Sequence, residues 1–419
     1  MKKRIERLLL NKFNLYVAAI LTIIFSLSVM TLDSKAINEV EKHLGKVPAQ
    51  MGEQVDSTGQ LIPTSPQDTS IFLPFITKPY EFLALGNASQ TNGPYACPGF
   101  PDQNCYDLQV TCSQLVQPIS ATIRVGDPPS GVSTVGTMIF FSGFDGTYFW
   151  DGIAGIDPIT GEPTGSRQEK FGTSPASPEG VIYEGIITNL RANGFRTVQL
   201  DWARNWFISK DGVQEGLSKL SCRPATVMKW VYDTLHSGDA AQPFCAEGHS
   251  NGASQLAYSM TRYGMARYLD LAVFESGPNW TRIDQSCIQD DPAFSDIFLN
   301  DSGRNLLDLS LGFHKSNMGP CYQKDPNFRS VFQDESLGLG SWQFSYPHTM
   351  VAFLFGEMDL NPNPPTTRNS GRRFSDLLVA NSTPLWMRLD LVNAGHVIGN
   401  DPDGRLALEN TLISQCIVR

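Results

Sequence analysis

The most apolar positions of the chain fall in short runs: Met138-Ile139-Phe140-Phe141, Phe195 to Leu200, Pro243 to Ala246, Leu269 to Phe274, Val351 to Phe355 and Leu385 to Leu391. Such runs, bounded by turn-forming residues, predict strands covered on both faces. Between them, helix-like stretches run from Val181 to Asn193, Ala225 to His236, Ala253 to Tyr263, and Arg405 to about Cys416. Buried strands alternating with helices predict the α/β class, with a doubly wound, mostly parallel sheet.

The flanks of this alternation have a different texture. Gln117 to Val125 reads as an early strand of a meander, and residues 90–113 are dense in Cys, Pro, Gly and Asn, an N-terminal edge stapled by cysteines. Residues 37–75 mix Gln, Ser, Thr and Pro with few large apolar side chains, as in a linker or loosely packed arm. From Ser276 to Pro347 there is little periodicity, and the stretch holds several prolines with Cys287 and Cys321. A gap of that length between core strands predicts a functional, lid-like insertion at about 277–348 within a domain spanning 76–419. No internal repeat is visible. Gly338-Leu339-Gly340 is not followed by the Lys and Ser or Thr of a phosphate loop.

Charge and cysteines place the chain. Met1-Lys2-Lys3-Arg4 opens a basic segment, Leu15 to Met30 is apolar and uncharged, and Ser34-Lys35-Ala36 offers a small-x-small cleavage site. Residues 1–36 therefore read as an export signal, or as a signal anchor if uncleaved, since the apolar run approaches the length of a membrane span. Without those residues, which hold six Lys/Arg and two Asp/Glu, the net charge moves from -10 to -14. So acidic a body argues against nucleic acid as a partner, and leaves the N-terminal anchor as the route to a membrane. Eight cysteines form an even set, which in a secreted or periplasmic chain predicts disulfides. Three or four bridges both fit, because Cys245, inside a strand, could be a buried free thiol. No Cys-x-x-Cys and no His/Cys cluster has metal-ligand spacing, so the metal expectation is none.

The chemistry concentrates at Gly248-His249-Ser250-Asn251-Gly252, between the strand ending near Ala246 and the helix beginning at Ala253. Strand, Gly-x-Ser-x-Gly, helix is the context of a nucleophile elbow. The serine sits on a sharp turn, and Gly248 and Gly252 supply the room that side chains would fill. The turn exposes the hydroxyl and directs the next amide, that of Asn251, at whatever the serine attacks.

A serine hydroxyl needs a base, and the base needs an acid that fixes its tautomer. In a doubly wound sheet the carboxyl ends of the strands share one edge, so candidates should follow strands. Asp359 follows the strand Val351 to Phe355, and His396 follows the strand Leu385 to Leu391. The order Ser250, Asp359, His396 is the order Ser…Asp/Glu…His. Glu357 competes with Asp359 but stands closer to its strand. Among the other histidines, His314 and His348 compete for the base, while His249 cannot serve its own neighbour. Glu247 reads as a structural hydrogen-bond acceptor. Tyr148-Phe149-Trp150, Trp202, Trp206 and Trp280 are either a pocket beside Ser250 or core packing.

From about Ser133 to Arg419 these residues resemble the α/β-hydrolase superfamily, secreted esterases and lipases among them. The resemblance implies Ser250 as nucleophile, His396 as general base and then acid, and Asp359 as the residue orienting His396. It also implies that the loop Ser142-Gly143-Phe144-Asp145-Gly146 carries half of an oxyanion hole, the Phe144 amide joining that of Asn251. This loop has Ser142 where the family often has His. No narrower family is marked. The expected activity is cleavage of a small-molecule or polymeric carboxylic ester through an acyl-enzyme, with no cofactor. A peptidase or amidase on the same triad and a non-catalytic binding module are the alternatives.

Overall fold

The structure is a computed structural model that describes residues 81–151, 178–340, 342–360 and 366–417, all within one compact unit, Lys78–Arg419. The expected export signal, 1–36, and arm, 37–75, lie outside the described residues.

Nine strands form one sheet: β1 (Asn87–Cys97), β2 (Phe100–Thr111), β3 (Ile119–Gly126), β4 (Gly136–Phe141), β5 (Phe195–Trp202), β6 (Phe244–His249), β7 (Leu271–Glu275), β8 (Met350–Gly356) and β9 (Leu385–Leu391). Their order is β1-β2-β3-β5-β4-β6-β7-β8-β9. The pairs β1/β2, β2/β3 and β3/β5 are antiparallel, and every pair from β5/β4 to β8/β9 is parallel. The sequence reading captures β3 as part of a meander but not the long β1/β2 hairpin, whose Asn, Gly and Pro residues are poor strand formers. The hairpin is held by pairing and by the Cys97–Cys105 disulfide between its strands.

The helices are α1 (Pro178–Ala192), α2 (Gly216–Leu220), α3 (Cys222–Trp230), α4 (Asn251–Tyr263), α5 (Ile283–Ile288), α6 (Asp301–Ser310), α7 (Arg329–Glu335), α8 (Thr366–Ala380) and α9 (Pro402–Ile417). Alternate residues of the parallel strands enter two separate cores. Met138, Phe140, Cys245, Val273 and Leu354 pack with Leu190 of α1 and Leu412 of α9. Ile139, Phe141, Ala246, Phe274 and Phe353 pack with Leu256 of α4 and Phe374 of α8. Helices on both faces are why β4 reads as uninterrupted apolar sequence.

All eight cysteines are paired. Cys112–Cys222 joins the end of β2 to α3, Cys245–Cys416 joins β6 to α9, and Cys287–Cys321 closes a loop within the β7–β8 segment. Cys245 is thus not a free thiol, and the bridges number four rather than three.

The stretch between β7 and β8 is helical, holding α5, α6 and α7 with two 3₁₀ turns. None of these helices exceeds ten residues, which is too short to establish a 3.6-residue period. Its end is fixed to α4: Tyr258 Oη donates to the Glu335 carbonyl at 2.6 Å, and Arg262 Nη2 to the Ser336 carbonyl at 2.6 Å. Helix α8 also escapes the sequence reading, since its first turns, Thr366-Thr367-Arg368-Asn369-Ser370-Gly371, are mostly weak helix formers.

Candidate active site

The sheet reverses direction of winding at β4. The chain passes from β4 to β5 on one side and then to β6 on the other, so loops leaving the carboxyl ends of β4 and β6 open a crevice between them. The loop from Ser142 and the turn at Ser250 therefore meet. Asn251 Nδ2 donates to the Phe144 carbonyl at 2.7 Å, and Trp280 Nε1 donates to Asn251 Oδ1 at 3.1 Å.

Ser250 stands between β6 and α4 with φ 55° and ψ -115°. A non-glycine residue with positive φ is strained, and such strain persists where the surroundings over-determine it. Here the Ser250 N–H donates to the Glu275 carbonyl of neighbouring β7 at 2.7 Å. The flanking glycines are required by close approach. A β-carbon on Gly248 would meet the Gly252 carbonyl carbon at 2.5 Å, and one on Gly252 would run into the Phe141 carbonyl of β4.

Asp359 and His396 arrive on adjacent loops after β8 and β9. The loops are tied by main-chain bonds, Glu357 N to Leu391 O at 2.8 Å and Met358 N to Ala394 O at 3.0 Å. His396 Nδ1 lies 3.1 Å from both Oδ1 and Oδ2 of Asp359, and His396 Nε2 lies 2.8 Å from Ser250 Oγ. Asp359 is fully buried, and the imidazole is 18% exposed. With Nδ1–H directed to the carboxylate, Nε2 presents its lone pair to the serine hydroxyl, the tautomer a general base needs.

The other candidates fall elsewhere. Glu357 is exposed, and so is His348. His314 Nε2 meets the Ser209 carbonyl at 2.8 Å. His249, unassigned by sequence beyond its exclusion as base, places Nε2 3.1 Å from the His396 carbonyl. Trp150 packs on Phe140 and Tyr183 in the core, and Trp202 Nε1 donates to Gln255 at 2.9 Å. Of the aromatic residues named from sequence, Trp280 is the one that faces the site.

Ser250 and His396 open on a cavity of about 390 Å³ whose apolar wall is formed by Phe144, Trp280, Leu299 and Leu306. Asn279, Asn300, Ser302, Thr366 and Thr367 add neutral polar groups, and among the described lining residues no side chain carries a permanent charge. The β7–β8 segment supplies the far wall from the start of α6. Among the described residues, no three His, Cys, Asp or Glu side chains group as metal ligands.

Beneath the turn lie two fully buried carboxyls, Glu247 on β6 and Glu275 at the end of β7. Glu275 Oε1 accepts the Tyr183 hydroxyl at 2.6 Å and the Ile398 N–H at 2.9 Å. Burial first, and the Glu275 charge second, push Glu247 well above the usual carboxylate range. Burial pushes Glu275 up to about 7. Glu247 thus holds its proton to higher pH than an ordinary carboxyl and can donate to Glu275, while its contact with the Trp150 side chain keeps it in the structural role expected from sequence. Both groups bind protons more tightly folded than unfolded. Their stabilising contribution is complete below the ordinary value of 4.5 and is lost as pH rises, for Glu275 through about 7. Melting curves should show Tm falling between about pH 5 and 8, and Glu247→Gln should be more stable than the parent at pH 8 by roughly 5 °C. A parent and variant with parallel Tm profiles across that range would contradict this assignment of the proton.

No family model and no curated protein sequence matches the chain. Among solved structures it is similar to a thermostable carboxyl esterase from Bacillus coagulans, at 14% identity and TM-score 0.44 over 75% of this chain and 99% of that one. It is also similar to brefeldin A esterase, a bacterial homologue of human hormone-sensitive lipase, at 14% identity and TM-score 0.45 over 81% and 80%. A protein described as a dipeptidyl aminopeptidase IV from Bacteroides ovatus matches at 11% identity and TM-score 0.43 over 76% and 36%. Likenesses at this level span esterases and a peptidase, so any choice of reaction rests on the site itself.

Proposed function

We propose that this chain, which has the α/β-hydrolase fold, is a serine hydrolase of uncharged carboxylic esters. The observation that carries the reading is the contact series Ser250 Oγ, His396 and Asp359, set on a strained turn at the mouth of an apolar cavity. Ser250 Oγ attacks the ester carbon while His396 Nε2 takes its proton. The tetrahedral oxyanion sits against the amides of Asn251 and Phe144. The Asn251 amide lies in the first turn of α4, where helical N–H groups lack main-chain acceptors. The imidazolium, held by Asp359, then protonates the departing alcohol. Water attacks the acyl-enzyme with His396 again as base, and the acid leaves.

The cavity favours esters over peptide termini. A terminal ammonium or carboxylate calls for an opposite charge, and the described lining side chains offer amides, hydroxyls and apolar groups instead. Four disulfides accord with an oxidising compartment and so with export as a secreted or periplasmic protein. Among the described residues no helix is long and apolar enough to cross a membrane.

A panel of neutral p-nitrophenyl and alkyl esters set against aminoacyl and dipeptidyl p-nitroanilides tests the reading. Neutral esters should turn over with kcat/KM at least about 100-fold above the anilides. Turnover of anilides with inert esters would reverse the assignment.

A further inference from the structure

Among the described residues, Glu275, a buried acid raised well above the usual carboxylate range, touches both halves of the site, and the reaction as written does not use it. Its main-chain carbonyl accepts the Ser250 N–H at 2.7 Å. Its side chain accepts the Ile398 N–H, two residues past His396, at 2.9 Å and the Tyr183 hydroxyl at 2.6 Å. Tyr183 extends the same reach, because its hydroxyl accepts the Gly399 N–H at 3.1 Å. The strand register sets Glu275 opposite His249, whose Nε2 meets the His396 carbonyl at 3.1 Å. Three chain segments far apart in sequence thus converge on one residue.

We propose that Glu275 is a positioning residue for the ester hydrolysis: it clamps the nucleophile turn through its carbonyl and the loop bearing His396 through its carboxylate, with Tyr183 as second arm of the clamp. The proposal rests on the assignment of Ser250 and His396 as nucleophile and base.

The chemistry explains why a carboxylate stands there. A buried carboxyl is costly unless its oxygens are satisfied, and Glu275 Oε1 receives two donors while its other oxygen has none outside the pair. Glu247 is the fully buried neighbour, in hydrogen-bonding contact with Glu275 and with the Trp150 side chain. It can donate to Glu275, which ionises as pH rises through about 7. The titratable groups that act on Glu275 are Tyr183 on α1, Glu247 on β6 and His396 on the loop after β9. An anion here strengthens the two donor bonds to the loop and stabilises the imidazolium formed in each step. A shift of about 1 Å in the imidazole costs catalysis on the order of 100-fold without altering substrate binding.

The test compares the parent with Glu275→Gln, Tyr183→Phe and Glu335→Gln. The last alters a partly buried carboxyl that accepts the Ser218 N–H at 2.7 Å and is likewise raised by desolvation, and serves as a control for loss of a desolvated acid. Steady-state hydrolysis of a soluble p-nitrophenyl ester is followed from pH 5 to 9, with the Tm of each protein. Glu275→Gln should lower kcat by ~10- to 100-fold with KM within about twofold. Because Glu275 gains its charge as pH rises through about 7, the kcat deficit of Glu275→Gln should be larger at pH 8 to 9 than at pH 5 to 6. Tyr183→Phe should lower kcat several-fold with KM unaltered, and Glu335→Gln should keep the parental kcat whatever its Tm. If Glu275→Gln does not fold, the Tyr183→Phe result decides alone. Parental kcat at pH 8 to 9 in Glu275→Gln, or parental kcat in Tyr183→Phe, overturns the proposal. If instead the parent cleaves no ester, the functional reading itself has failed, which is a separate result.

Discussion

Ser250→Ala lowers kcat on a soluble carboxylic ester by about 10⁶-fold, the scale on which a serine nucleophile and its base act as a unit. The expectation follows from the geometry rather than from the pentapeptide alone. Ser250 Oγ is the oxygen that His396 Nε2 faces at 2.8 Å, on a residue whose φ of 55° is tolerated because Gly248, Gly252 and the Glu275 carbonyl leave no relaxed alternative. Removing one oxygen leaves the cavity wall untouched, so binding of a neutral ester, measured as protection or as Kd in the inactive variant, should persist. A variant that keeps more than about one part in a thousand of the parental kcat would assign the nucleophile elsewhere.

His396→Ala is expected to cost nearly as much, again about 10⁶-fold, and the double variant Ser250→Ala/His396→Ala should be no worse than either single one. Non-additivity is the diagnostic. If the two side chains acted separately, their losses would multiply. Asp359→Asn should lose about 10⁴-fold, because an amide donating to Nδ1 would leave the proton on Nε2, where it faces Ser250 Oγ instead of accepting from it. The buried carboxylate stands 3.1 Å from Nδ1 by either oxygen, so no neighbouring acid need move to explain the orientation of the ring. Rates across pH in the three variants and the parent check the set. Additive losses in the double variant would mean that His396 does not serve Ser250.

The parallel core is legible because burial on both faces leaves an apolar run: β4, β6, β7 and β8 are visible in the sequence to within three residues at each end. Ser250, Asp359 and His396 could be picked out because each follows such a strand, and the sheet brings the strand ends together. The β1/β2 hairpin was not legible, since its stability comes from a neighbouring strand and a disulfide rather than from its residues' own preferences. The short helices between β7 and β8 were hidden for the related reason that packing, not periodicity, holds them. Glu275 shows a different limit. A carboxyl closing the apolar run Leu271 to Phe274 looks like an ordinary strand end, and so does Glu247 before the elbow. What marks them is the register of β6 on β7 and the arrival of Tyr183 from 92 residues away. A charged residue directly after each of two neighbouring strands predicted to be covered on both faces was the available signal.

The central claim is that Ser250 is an activated nucleophile, and covalent labelling tests it most directly. The full chain is incubated with a fluorophosphonate, digested and mapped by mass spectrometry, alongside Ser250→Ala and His396→Ala. The account predicts one phosphonyl adduct on the peptide containing Ser250 in the parent, none in Ser250→Ala, and labelling slowed by at least about 10³-fold in His396→Ala. An unlabelled parent, or an adduct at another residue that survives Ser250→Ala, would contradict it.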